Sequence, residues 1–210
     1  MSYTTKDFLN IVKDSSLNYT YMEMLEMETI EDRRLYIDAE IDETVLNSVS
    51  FHITRYNRQD RGIPIEKRDP VIIYLNTPGG SVTDGFGIID IIMESKTPVY
   101  TVNQGVCYSM GLCIFLAGSK RYAMKNSTFL LHDGSAMVMD STNKMKDRFN
   151  FISGQMEDKM KEYIVDRTSI TEEQYDNNLR REWYFYPEEG KQLGVVTHIV
   201  GSDCDFDEII

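Results

Sequence analysis

Cysteine, histidine and proline are scarce in this 210-residue sequence, with three, three and five copies. Cys107, Cys113 and Cys204 are odd in number and show no CxxC spacing, so neither a disulfide framework nor a zinc site is indicated. A reducing, cytoplasmic setting is therefore expected. The start of the chain, MSYTTKDFLNIVKDSS, shows no basic leader followed by an apolar stretch and a small-residue cleavage site, so no signal peptide is expected. No apolar run approaches the ~18 residues of a membrane span. Positive charge is in short supply as well: 22 Lys and Arg stand against 34 Asp and Glu, a net charge of −12. Nucleic acids and anionic membrane surfaces both need a basic face, so neither is expected as a partner. Glycine and proline are too few for a fibrous or low-complexity chain.

What is present fits a globular protein. Hydrophobic residues make up 41% and aromatics 11%, and the length suits one domain with appendages. Residues 1–33 read as a polar, acidic N-terminal appendage, and 202–210 as an acidic tail. Between them, Leu35-Tyr36-Ile37 forms a short strand. Leu46, Val49, Ile53 and Tyr56 then mark one face of a helix. Asn57 to Asp69 is a charged loop. Val71 to Leu75 is apolar on both faces, the mark of a buried parallel strand. A helix follows with Phe86, Ile89, Ile92 and Met93 on its face.

Pro98 to Val102 is the next strand, with Gln104-Gly105 as its exit and Tyr108 to Ala117 as an apolar helix. Tyr122 to Met124 and Thr128 to Leu131 are two further strands. This alternation predicts an α/β fold of repeated βαβ units. From Asp140-Ser141 a long helix is expected to run over about 141–167. Its apolar positions are Met145, Phe149, Ile152, Met156, Met160 and Tyr163. A stripe that long projects beyond one domain and asks for a second copy of the chain. Thr171 and Gln174 start another helix with a capping box. Pro187 to Leu193 is a short helix stopped by Gly194, and Val195 to Val200 is the last strand.

Three histidines leave few places for a general base. His52 falls within a helix and His198 in the last strand, without a nucleophile pattern nearby. His132 ends an apolar strand, where side chains emerge into the crevice of an open α/β sheet. Ser109 opens the apolar helix, where its hydroxyl can project and the Met110 amide can donate to an oxyanion. A plain helix N-cap is the simpler role for that serine. Gly79-Gly80 leaves backbone amides open to an oxyanion or to an extended peptide. An acid must orient the imidazole, and spacing alone does not select one.

Taken together, the segments IYLNTPGGSVTDGFGIIDII, YSMGLCIFLAGSKRYAMKNSTFLLH and RREWYFYPEEGKQLGVVTHIV resemble the proteolytic subunit of the Clp protease, ClpP, from Arg34 to Gly201. The resemblance implies a crotonase-like fold with a handle helix, and a peptidase domain over 34–201. It implies Ser109 as nucleophile, His132 as base, and the Gly80 and Met110 amides as oxyanion hole. The family's acid falls on Glu182 after Arg181, with Asp176 as a second candidate. Substrate would add as a strand along Gly79, Ser81, Asp133 and Gly134. The expected activity is a serine endopeptidase acting on unfolded proteins and peptides, in heptameric rings stacked into a chamber. The chain itself would need no cofactor, since ATP would be used by a separate AAA+ unfoldase. A catalytically silent ring subunit serving an active paralogue is the alternative, motivated by Glu182 and by an N-terminus without the family's hydrophobic loop. Crotonase-type acyl-CoA chemistry is a third reading; it does not need a Ser109 and His132 pair, whose presence speaks against it.

Overall fold

The computed structural model describes residues 20–134 and 141–210. The described residues open with α1 (Tyr21–Glu31), started by a capping box between Thr20 and Glu23. Strand β1 (Arg34–Ile37) follows, then α2 (Glu43–Gln59), β2 (Val71–Thr77), α3 (Val82–Glu94), β3 (Val99–Tyr108), α4 (Met110–Ala117), β4 (Lys120–Met124) and β5 (Thr128–Leu131). The expected handle is continuous from α5 (Thr142–Asn150) through a wide π turn (Phe151–Met156) into α6 (Glu157–Arg167). Helix α7 (Glu172–Leu179), strand β6 (Trp183–Phe185), helix α8 (Pro187–Gln192) and strand β7 (His198–Val200) complete the order.

The strands form one sheet in the order β1-β2-β3-β4-β7, with β5 on β3 and β6 on β5. Every pairing is parallel except β5 with β6. Gln104-Gly105 does not end β3. The strand changes neighbours there: residues 100–103 pair with β4, and residues 106–108 pair with β5. Side chains replace the interrupted ladder. Asn76 Oδ1 accepts from the Val106 amide, Asn103 Oδ1 from the Gly105 amide, and Asn103 Nδ2 donates to the Thr128 carbonyl. A glycine and a polar pair thus mark a shift of register, which composition alone reads as a turn.

One face of the sheet packs under α2, α3, α4 and α6. Its buried set includes Val49, Ile53, Ile73, Leu75, Ile88, Ile89, Leu112, Phe115, Phe129 and Ile164. Helix α4 is buried on every side, as its unbroken apolar sequence requires. Phe129 lies between Phe115 and Phe185 at centroid distances of 5.0 and 5.3 Å. On α3 the buried positions are Gly85, Ile88, Ile89 and Ile92, and Met93 faces out. At the chain's entry, Arg33 pairs with the buried carboxylate of Asp60 at 2.7 Å, and Thr97 donates to the same carboxylate.

The opposite face carries a smaller cluster of Ile72, Tyr74, Val102, Tyr122, Val200 and Ile209. Strand register lines up Tyr36, Tyr74, Val102, Tyr122 and His198 in one row across five strands. Tyr36 stacks on Tyr74, and His198 on Tyr122, both at 4.9 Å. No helix covers this row among the described residues. The end of the chain does: the Tyr74 hydroxyl donates to the Ile209 carbonyl, and the Ile209 side chain is buried. The stretch read as an acidic tail therefore ends in a packed segment.

Candidate active site

Strand β3 runs straight into α4, and Ser109 is the residue between them. Its φ of 52° and ψ of −120° lie in a region L-residues rarely enter, so the turn is sharp and strained. Its amide donates to the Leu130 carbonyl at 2.9 Å, which fixes the turn against β5. Its side chain makes no capping bond to the helix it opens. The plain N-cap role therefore does not account for this serine. The strand, strained serine and helix follow the logic of a nucleophile elbow, although Cys107 stands where GxSxG has its first glycine.

Gly79 and Gly80 lie beside this turn because nothing larger fits. A Cβ on Gly79, at φ +100°, would sit 2.7 Å from the Tyr108 carbonyl oxygen and 2.8 Å from Ser109 Cβ. A Cβ on Gly80, at φ +149°, would sit 2.4 Å from the Ile41 carbonyl oxygen. Ile41 donates to the Gly79 carbonyl and accepts from the Ser81 amide, which leaves the Gly80 amide outside that pairing. Neither the Gly80 nor the Met110 amide has an acceptor among the described residues. The Met110 amide belongs to the open first turn of α4, where the helix dipole adds positive potential. The Ser81 hydroxyl is used elsewhere: it caps α3 by accepting from the Asp84 amide.

His132 follows β5 directly, and β5 lies alongside the end of β3 with Tyr108 opposite Leu130. Ser109 and His132 therefore leave adjacent strands at neighbouring levels. Both line one cavity of about 260 Å³, together with Met110, Asp133 and Gly134. The wall of that cavity is apolar: Met156 and Met160 from the handle, and Tyr175 and Leu179 from α7, close it. Those two methionines belong to the stripe expected to meet another chain, and the structure turns them toward the serine instead. Phe149, on the same stripe, is exposed. Cys113 also reaches the cavity one turn below Ser109, but burial pushes its thiol up to about 12, so it stays protonated. No hydrogen bond joins the Ser109 hydroxyl to the His132 ring, although both line the cavity.

The expected acids are placed elsewhere. Glu182 is exposed and outside the cavity, immediately before β6. Desolvation holds the Tyr184 hydroxyl above the usual tyrosine value, and the neighbouring Glu182 carboxylate adds to it. Asp176 is held by Lys161 at 2.9 Å. The remaining histidines keep structural surroundings: His52 sits between Phe51 and Tyr56, and His198 bonds to Thr197. Sequence reasoning missed the cavity wall formed by Tyr175 and Leu179, although their spacing of four on a capped helix was the available signal. It also missed β6, since a three-residue strand leaves almost no periodicity.

The structure superposes on that of a ClpP1 point mutant from Listeria monocytogenes with a TM-score of 0.73. The match has 24% identity and covers 89% of this chain and 99% of the other. That likeness establishes the crotonase-like architecture of the α/β fold. The family model described as Clp protease matches residues 17–203, which takes in the second half of the N-terminal segment as well as every site residue discussed above. The chain belongs to the Clp protease family.

Proposed function

We propose that this chain is a serine endopeptidase subunit that hydrolyses peptide bonds of unfolded proteins inside a chamber built from its own copies. One observation carries the reading: a serine held on a strained strand-to-helix turn, its hydroxyl unused by the helix, shares a cavity with His132 and lies beside two unengaged amides. In this scheme the Ser109 Oγ attacks the peptide carbonyl carbon while His132 takes the hydroxyl proton. The tetrahedral oxyanion is held by the Gly80 and Met110 amides, where removal of a single donor costs ~10²–10³ in rate. His132 then returns the proton to the leaving amine, and water releases the acyl group by the same steps in reverse. Substrate would lie as an added strand along the glycine turn on one side and Asp133-Gly134 on the other, with an apolar side chain in the cavity.

Members of this family are serine peptidases that form stacked oligomeric rings, and an ATP-driven unfoldase would supply substrate. Heptameric rings and a cytoplasmic setting complete the proposal. The decisive test is labelling by a fluorophosphonate probe together with cleavage of a small fluorogenic peptide. Wild-type protein should be labelled and active, and Ser109→Ala should lose both while its oligomeric mass by native mass spectrometry is unchanged. Cleavage by the alanine variant at the wild-type rate would defeat the assignment.

A second reading, a catalytically silent ring subunit, draws on one feature: Ser109 and His132 are not hydrogen-bonded to each other, and Glu182 is turned to Tyr184. Absence of labelling in wild-type protein assembled with an active relative would favour it.

A further inference from the structure

Sulfur is concentrated around Ser109. Cys113 reaches the cavity from α4, and Met156 and Met160 line it from the handle, one helical turn apart. The Cys113 thiol donates to Met160 Sδ at 3.2 Å. We propose that Met156 and Met160 form a modification site: hydrogen peroxide converts them to sulfoxides, and the polar oxygens in the cavity wall turn the peptidase down for substrates that place an apolar side chain there. The inference rests on the peptidase reading above and adds a chemical control to the same cavity.

Three observations single out this pair. The first is access. Both methionines are only partly buried and face an open cavity, so a small oxidant reaches them by the path a substrate side chain takes. Met110 also borders the cavity, but it is buried and packed against Gly85, which shields its sulfur. Met22 and Met93 are exposed, yet neither belongs to the cavity wall, so their oxidation leaves the site unchanged.

The second is that the neighbouring thiol does not compete. Peroxide attacks a cysteine as its thiolate, and burial pushes Cys113 up to about 12, so it stays protonated. A thioether has no proton to lose and reacts from a lone pair. The third is that the thiol directs the reaction. Met160 Sδ has two lone pairs, and Cys113 engages one of them. Oxygen adds at the other, so one sulfoxide epimer should predominate at Met160, whereas a methionine in open solvent gives both.

The step balances. Each Sδ takes one oxygen from peroxide, the O–O bond breaks, and the departing hydroxide removes the proton left on that oxygen to form water. The sulfur loses two electrons and the peroxide gains them. The product places a strong dipole among Ile164, Tyr175 and Leu179, where an incoming apolar group must strip it of water. Ser109, His132 and the two amides are untouched, so the loss falls on substrate binding.

The test treats full-length wild type, M22L and M156L/M160L with hydrogen peroxide and compares each with its own untreated sample. Mass-spectrometric peptide mapping reads oxidation at each methionine. Two fluorogenic peptides, with Leu or Ala before the scissile bond, read activity. In wild type, kcat/KM on the Leu peptide should fall about tenfold as the pair oxidises, mainly through KM, and on the Ala peptide by less than about threefold. M22L should behave as wild type, and M156L/M160L should stay within about twofold of its untreated rate. In a digest, Met160 sulfoxide should be reduced by only one of the two epimer-specific methionine sulfoxide reductases, and Met22 sulfoxide should need both.

Inactivation of M156L/M160L to the wild-type extent would overturn the inference. So would full activity in wild type carrying both sulfoxides, or a pair that stays reduced while Met22 and Met93 oxidise. Equal epimers at Met160 would overturn the directing role of Cys113. Should untreated wild type prove unlabelled by the fluorophosphonate probe, the peptidase reading fails separately, and the peptide map and epimer ratio still decide whether peroxide modifies this pair.

Discussion

The inner and outer faces of the sheet come from the same strands but are covered in opposite ways. On the inner face four helices bury side chains from every strand, and Ser109 and His132 emerge at its rim. On the outer face a row of rings is covered by one terminal segment that ends at Ile210. The difference teaches where redundancy lies. An inner side chain is held by many neighbours and cannot be lost without a cavity, while the outer row depends on one terminal segment.

Substitutions can break or sharpen that contrast. The largest stability loss is expected for Phe129→Ala, which empties a fully buried site between Phe115 and Phe185; about 4 kcal/mol in urea unfolding is the expected cost. Asp60→Ala comes next at about 3 kcal/mol, because it leaves the largely buried Arg33 guanidinium without its carboxylate partner.

Asp60 also sets a pH dependence. Hydrogen bonding to Arg33 holds its carboxyl below the usual 3.8. Its stabilisation is therefore complete above that ordinary value and is lost as pH falls through the depressed folded one. Wild type should lose this contribution in acid, and the alanine variant should show a flatter stability profile there.

Ile209→Ala on the outer face is expected to cost less, about 2 kcal/mol, since its site can partly collapse. It should also speed hydrogen exchange in β2 and β4 more than in α4. Tyr74→Phe should cost least, about 1 kcal/mol, for one hydrogen bond to the Ile209 carbonyl. Equal exchange in α4 and β2 after Ile209→Ala would mean that both faces open as one unit.

How far the sequence disclosed this arrangement depended on the length and regularity of each signal. Strand β2 and helices α2 and α4 were legible because long apolar runs and helical spacing leave few alternatives. The serine, the histidine and the glycine pair could be picked out because each sits where a regular element ends, and their place in one cavity follows from strand order. The run of β3 through Gln104-Gly105 was hidden, because side chains of Asn76 and Asn103 substitute for backbone pairing at a distance no local pattern encodes. The closure of the cavity by α7 was hidden for a related reason: it depends on a contact between Asp133 and Leu179, 46 positions apart in sequence.

The wide turn at Phe151–Met156 carries a further consequence. Its bonds reach five residues back, so it holds a surplus residue relative to an ordinary helix. Beyond it, α6 is anchored: the Tyr163 hydroxyl donates to the Cys113 carbonyl, and Arg167 to the Leu116 carbonyl. Removing one residue, for instance Gly154, should restore ordinary winding and leave the faces on either side close to where they are, since the wide turn absorbs one residue's rotation of about 100°. Met145 and Phe149 would keep their direction, and so would the cavity wall. The surplus residue is a slack link in the handle, one that can be taken up without re-aiming either half.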